Sequence, residues 1–135
     1  MTEQYYLPNA LLTRIVFHLQ NFAPEEACGL LGGTQNTFQT WIPIRNTLAS
    51  PNRYRMDASQ QLSAFLQFER NGQELLGIVH SHPNALDTPS QTDIEEAYYP
   101  EAVYFIFYRH GEEWQFKAYR IQKNRYDPVE IQLIE

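Results

Sequence analysis

Two histidines and an aspartate hold the clearest chemical signal in the chain. They lie within the stretch LGIVHSHPNALDTPSQTDIEEA, residues 76–97. His80 and His82 follow the apolar run Leu75 to Val79. Side chains two apart in a strand leave from the same face, so both imidazoles can reach one point. A third ligand candidate is Asp93, eleven positions after His82 and in the first turn of a helix that should begin near Ser90. A loop of that length can fold the helix start back over the strand end, leaving a fourth tetrahedral position open to water. Two neutral imidazoles and one carboxylate leave a divalent ion with net positive charge, enough to polarise a carbonyl and bring bound water to a pKa of roughly 7.

Each residue also has a simpler role. Ser90-Gln91-Thr92-Asp93 reads as a capping box, in which Ser90 and Asp93 satisfy free N–H groups at a helix start. His80 and His82 equally suit hydrogen-bonded structural positions near a strand end. Their joint occurrence weakens both simpler readings.

The order HSHP, five residues, Pro-Ser, then Asp three positions after the serine resembles the metal signature of the JAMM/MPN+ metallopeptidases. Upstream, Pro24-Glu25-Glu26-Ala27-Cys28-Gly29-Leu30-Leu31-Gly32 is similar to that family's P-x-E-x-x-G-L-L-x-G segment. Agreement continues through Asn46, the 51–57 stretch, the aromatic strand at 103–108 and the closing strand, so the resemblance spans nearly the whole chain. It implies Zn2+ on His80, His82 and Asp93. It also implies a proton-carrying role for Glu26 and hydrogen-bond donation from Ser90 to a developing oxyanion. The implied activity is hydrolysis of a peptide or isopeptide bond.

The compact length resembles the short prokaryotic branch, which lacks the insertions by which larger members grip ubiquitin. That branch points to the C-terminal tail of a ubiquitin-like or sulfur-carrier protein as substrate. The implied fold is α/β, a cytidine-deaminase-like layered sandwich with a mixed sheet flanked by helices. The alternative is a non-catalytic MPN-type interaction module, which has no physical need to keep two histidines, an aspartate and a remote glutamate together. A zinc deaminase would need H-x-E and P-C-x-x-C signatures, and the chain has one cysteine.

Elements must position these residues. Leu11, Leu12, Ile15, Val16, Leu19 and Phe22 recur at spacings of three and four, which predicts a first helix ending before Pro24. Ala27 to Leu31, closed by a Gly32-Gly33 turn, pairs as a strand with Thr37 to Ile44. An irregular connection over 46–55 precedes a second helix, with Asp57 or Ser59 as N-cap and Leu62, Phe65 and Leu66 as its apolar face. Leu75 to Val79 is a central strand, 82–89 a loop, and 90–98 a helix stopped by Pro100. Ala102 to Tyr108 and Trp114 to Ile121 form a hairpin, and Val129 to Ile134 alternates as a last strand.

At 135 residues, the chain is expected to form one domain, 1–135. Sixteen acidic against ten basic residues, net −6, disfavour nucleic acid and anionic membranes. Arg45, Arg53 and Arg55 are the nearest thing to a basic cluster, best read as a solvated loop. No signal-like or membrane-length apolar segment appears, which points to the cytoplasm. Cys28 reads as a buried small hydrophobe, Glu25 as solvated, and His18 and His110 as surface or packing residues.

Overall fold

A computed structural model describes residues 3–135. Its elements are β1 (Gln4–Pro8), α1 (Asn9–Phe22), β2 (Cys28–Thr34), β3 (Thr37–Ile44) and α2 (Ala58–Arg70). They continue with β4 (Glu74–His82), α3 (Gln91–Glu95), β5 (Val103–His110), β6 (Glu113–Gln122) and β7 (Arg125–Ile134). The strands run in the order β1-β3-β2-β4-β5-β6-β7. Pairing is mixed: β4 with β5 and β1 with both β3 and β7 are parallel, and the other pairs are antiparallel.

The expected mixed sheet with helices is present. Its two ends are joined through β1, so the sheet closes on itself as a seven-stranded barrel. Residues before Pro8 carried no strand expectation, yet Tyr5 and Leu7 alternate into the core of this closing strand. Such a strand is specified by its partners more than by its own five residues.

Alternation along β4 separates two packed regions. Val79 lies with Phe105 and Phe107 in the cluster that receives Leu11, Ile15 and Leu19 of α1. Ile78 lies with Leu30, Tyr104 and Ile106 in the cluster that receives Ala64 and Phe68 of α2. His80 falls on this second side, cross-strand from Cys28 of β2 and Ile106 of β5.

Two sequence expectations change. The apolar residues Leu62 and Leu66 of α2 are 58% and 46% exposed, and the helix buries Ala64 and Phe68 instead. Gly32 explains the choice: the Phe68 ring occupies the space its missing side chain would fill. Gly32-Gly33 is also not the turn. β2 runs through both glycines to Thr34, and the turn sits at Gln35-Asn36 with φ of 52° and 64°. Asparagine tolerates this left-handed region comparatively well.

Boundaries elsewhere shift in ways that matter for the site. β4 extends through His82, and α3 is shorter than the 90–98 helix expected. Asp57 caps α2, its Oδ1 accepting from the Gln60 N–H at 3.0 Å. Among the described residues, no helix is long and apolar enough to cross a membrane.

Candidate metal centre

The end of β4 presents His80 and His82 on the α2 side of the sheet, 1% and 3% exposed. The chain then leaves the sheet through a loop that is tethered at Asp87. Lys117 of β6 reaches the Asp87 carboxylate at 2.7 Å, and the Tyr119 hydroxyl donates to the Asp87 carbonyl at 2.8 Å. The tethered loop delivers Ser90 to the start of α3. There Ser90 Oγ accepts from the Asp93 N–H at 3.0 Å, and Asp93 Oδ2 accepts from the Ser90 N–H at 2.9 Å. The capping box is therefore real, and it aims a carboxylate oxygen at the imidazoles.

Asp93 Oδ2 lies 3.1 Å from His80 Nε2 and 3.0 Å from His82 Nε2, and the two Nε2 atoms are 3.0 Å apart. Ligand atoms around one tetrahedral zinc are separated by roughly 3.3 Å when each sits 2.0–2.1 Å from the ion. The triangle is close to that size. Its chemistry also suits a cation. The Leu86 carbonyl accepts from His82 Nδ1 at 2.8 Å, which leaves the neutral imidazole with a bare lone pair on Nε2. A lone pair facing a carboxylate oxygen at hydrogen-bond distance requires a positive charge between them. Burial opposes a proton on His82, but the hydrogen bond and charge of Asp93 outweigh it and raise its basicity. Burial likewise works against ionised Asp93, and the imidazoles and the Ser90 N–H hold its carboxyl well below the usual range.

A second carboxylate approaches the same point. Glu26 is 4% exposed, and its ligand atom groups with those of His80 and His82 within 4.8 Å of one another. Its Oε1 is buried without a hydrogen-bond partner. Burial, opposed by the His82 charge and reinforced by that of Asp93, pushes the carboxyl up to about 8. The backbone is pinned on both sides: the Glu26 N–H donates to the Ser50 carbonyl at 2.8 Å, and Asn46 Nδ2 donates to the Glu26 carbonyl at 2.9 Å. Glu25, its neighbour, is half-buried.

The structure thus brings His80, His82, Asp93, Ser90 and Glu26 together. Cys28 packs beneath them, its thiol donating to the Ile44 carbonyl and its pKa pushed up to about 12 by burial and by Glu26. That thiol is inert. His18 packs against Phe22 and Trp41, and His110 is exposed in the β5–β6 hairpin. Arg45 pairs with Asp57 and Arg53 with Glu96, while Arg55 lines a cavity of about 310 Å3 that borders Asp93.

Residues beyond the sequence candidates also shape the centre. Ser81 Oγ accepts from the Ala27 N–H at 2.9 Å, tying β4 to the segment that carries Glu26. Tyr54, from the 46–55 loop, stacks on His80 with ring centroids 4.6 Å apart. Ser81 stands inside the H-S-H motif, where its spacing marked it for the opposite face. Tyr54 lies in the 51–57 stretch that shares the family resemblance, where nothing marks it individually.

Comparison with known proteins bears on this constellation. The family described as prokaryotic homologs of the JAB domain matches residues 8–122, a span that includes all five residues of the centre. The chain belongs to this family. Among curated relatives of this prokaryotic JAB protein, the CysO-cysteine peptidase of Mycobacterium tuberculosis (strain ATCC 25618 / H37Rv) is 30% identical over 128 residues, covering 93% of this chain and 88% of the relative. The desampylase of Pyrococcus furiosus is 31% identical over 129 residues, covering 95% and 86%. The solution structure of protein DSY2949 from Desulfitobacterium hafniense is similar with a TM-score of 0.87 and 32% identity, covering 97% and 93% of the two chains.

Proposed function

We propose that this prokaryotic JAB protein is a zinc-dependent peptidase or isopeptidase that cuts at the C-terminal tail of a ubiquitin-like or sulfur-carrier protein. The observation that carries the reading is the 3.0–3.1 Å triangle of His80 Nε2, His82 Nε2 and Asp93 Oδ2, with a partnerless buried Glu26 oxygen beside it. In this reading His80, His82 and Asp93 hold Zn2+, which when bound supplies Lewis-acid polarisation and acidifies water.

The chain's own groups do the rest. Glu26 Oε1, without a competing partner, takes a proton from the attacking water and passes it to the departing amine nitrogen. The Ser90 hydroxyl oxygen is engaged as the cap acceptor, which leaves its hydrogen free to donate to the carbonyl oxygen as charge develops there. Burial of both histidines and of Glu26 limits solvent, so these dipoles act at a low effective dielectric.

The names of the relatives, a peptidase for a cysteine conjugate and a desampylase, support a protein-conjugate substrate. We extend the reading to one domain over 1–135, to a layered arrangement of the cytidine-deaminase type supported by the two packed sides of β4, and to work in the cytoplasm. A purely scaffolding role leaves the buried, partnerless carboxylate of Glu26 without purpose.

The test is to incubate the purified protein with ubiquitin-like carriers extended beyond a C-terminal Gly-Gly and to follow the mass of the products. Cleavage at the tail, stopped by a chelator and restored by zinc, is expected. Zinc-replete protein that binds such carriers and leaves every extension intact would overturn the proposal in favour of the interaction module.

A further inference from the structure

The two histidines at the end of β4 are held in different ways. His82 has the ordinary support of a ligating imidazole, a carbonyl oxygen on its second ring nitrogen: Leu86 O at 2.8 Å from Nδ1. The corresponding His80 Nδ1 is buried and has no hydrogen-bond partner. No hydrogen bond holds the ring on its Nδ1 side, and the ring of Tyr54 lies nearly parallel to it, at 24° with centroids 4.6 Å apart.

Tyr54 is itself well placed to hold that ring. Asn46 Nδ2 donates to the Arg53 carbonyl at 3.0 Å, and Asn46 Oδ1 accepts from the Arg55 N–H at 3.0 Å. The residues on both sides of Tyr54 are therefore gripped by one side chain, and the same amide also holds the Glu26 carbonyl. The residue that stacks on His80 also lines the cavity of about 310 Å3.

We propose that Tyr54 is a positioning residue for His80, its stacked ring fixing the imidazole that a hydrogen bond fixes in His82. This rests on the reading of His80 as a metal ligand. The stacking is more than a packing contact, because a cation on Nε2 draws electron density from the imidazole. The π-face of tyrosine attracts positive charge and so favours the metal-loaded ring over the free one. The ring therefore contributes to affinity as well as to geometry.

The test compares the full-length wild type with Tyr54→Phe, Tyr54→Leu and Tyr54→Met. Three readouts are taken: zinc affinity by competition with a chromophoric chelator, the visible spectrum of the cobalt(II)-loaded protein, and thermal melting of the metal-free form. Leu and Met are expected to fold, to weaken zinc binding by about 10- to 100-fold, the range for loss of an outer support of a ligand, and to alter the cobalt spectrum. Phe is expected to restore both affinity and spectrum. Wild-type affinity and spectrum in Leu and Met would overturn the inference and leave the metal centre standing. A Phe variant as weak as Leu would assign the effect to the hydroxyl and also overturn it. Loss of folding in both Leu and Met would make the ring a structural residue. A wild type that takes up no zinc would remove the reading of the site, and Tyr54's role with it.

Discussion

Val79 and His80 are adjacent on one strand, equally buried, and face opposite environments. On the Val79 side, Phe105, Phe107 and the α1 stripe fill the space with apolar contacts that need no partner. On the His80 side the strand end meets Glu26, His82 and Asp93, and two buried polar atoms, Glu26 Oε1 and His80 Nδ1, lack hydrogen bonds. Each such atom costs about 1–3 kcal/mol. The contrast is one of packing across a single strand: apolar contacts fill the Val79 side, and the His80 side gathers titratable groups with unmet bonding capacity at the candidate metal centre.

Breaking the chemical side should abolish function with little loss of fold. Asp93→Ala is expected to reduce zinc content to background and cleavage with it, since it removes the one oxygen shared by both imidazoles; metal analysis beside a cleavage assay checks this. Glu26→Gln should keep zinc and lower the cleavage rate by about 10²–10⁴-fold, the usual contribution of a positioned acid or base. Retained activity would move the proton elsewhere.

Breaking the apolar side should do the reverse. Phe105→Ala is expected to lose about 3–5 kcal/mol of stability in denaturant titrations while the folded fraction binds zinc at wild-type affinity. A large change in zinc affinity would show that the two sides are not separable.

The smallest effect sharpens the contrast. Because burial raises the Glu26 carboxyl to about 8, the metal-free folded state keeps a proton that the unfolded chain releases near the ordinary glutamate value of 4.5. Stability contributed by this group is therefore present at low pH and lost as pH rises from about 4.5 towards 8. Glu26→Gln should lack that component, so melting of metal-free wild type and variant should diverge towards pH 8, with the variant the more stable.

What was readable in the sequence follows the range of the interactions. The two-residue spacing of His80 and His82, the Ser90–Asp93 cap and the α1 stripe are local patterns, and each appears in the structure except at the end of the stripe, where Phe22 is exposed. Glu26 was accessible only through its motif, because the groups that pin its backbone in place, Asn46 and Ser50, lie 20 or more residues away. The buried face of α2 and the role of Gly32 could not be read separately, since Phe68 and Gly32 define each other where the helix packs on β2. Closure through β1 and the stacking of Tyr54 are likewise set by partners distant in sequence.

Helix α3 has only five residues, far fewer than an isolated helix needs to persist in water. Its first turn is organised around the Asp93 carboxylate, whose Oδ2 serves the Ser90 N–H and both imidazoles at once. If His80, His82 and Asp93 hold zinc as proposed, metal occupancy and the local order of this turn become linked through that one oxygen. Backbone amides around Ser90 and Asp93 should exchange with solvent deuterium faster when the ion is stripped, so that the short helix reports the loading state of the centre without any substrate present.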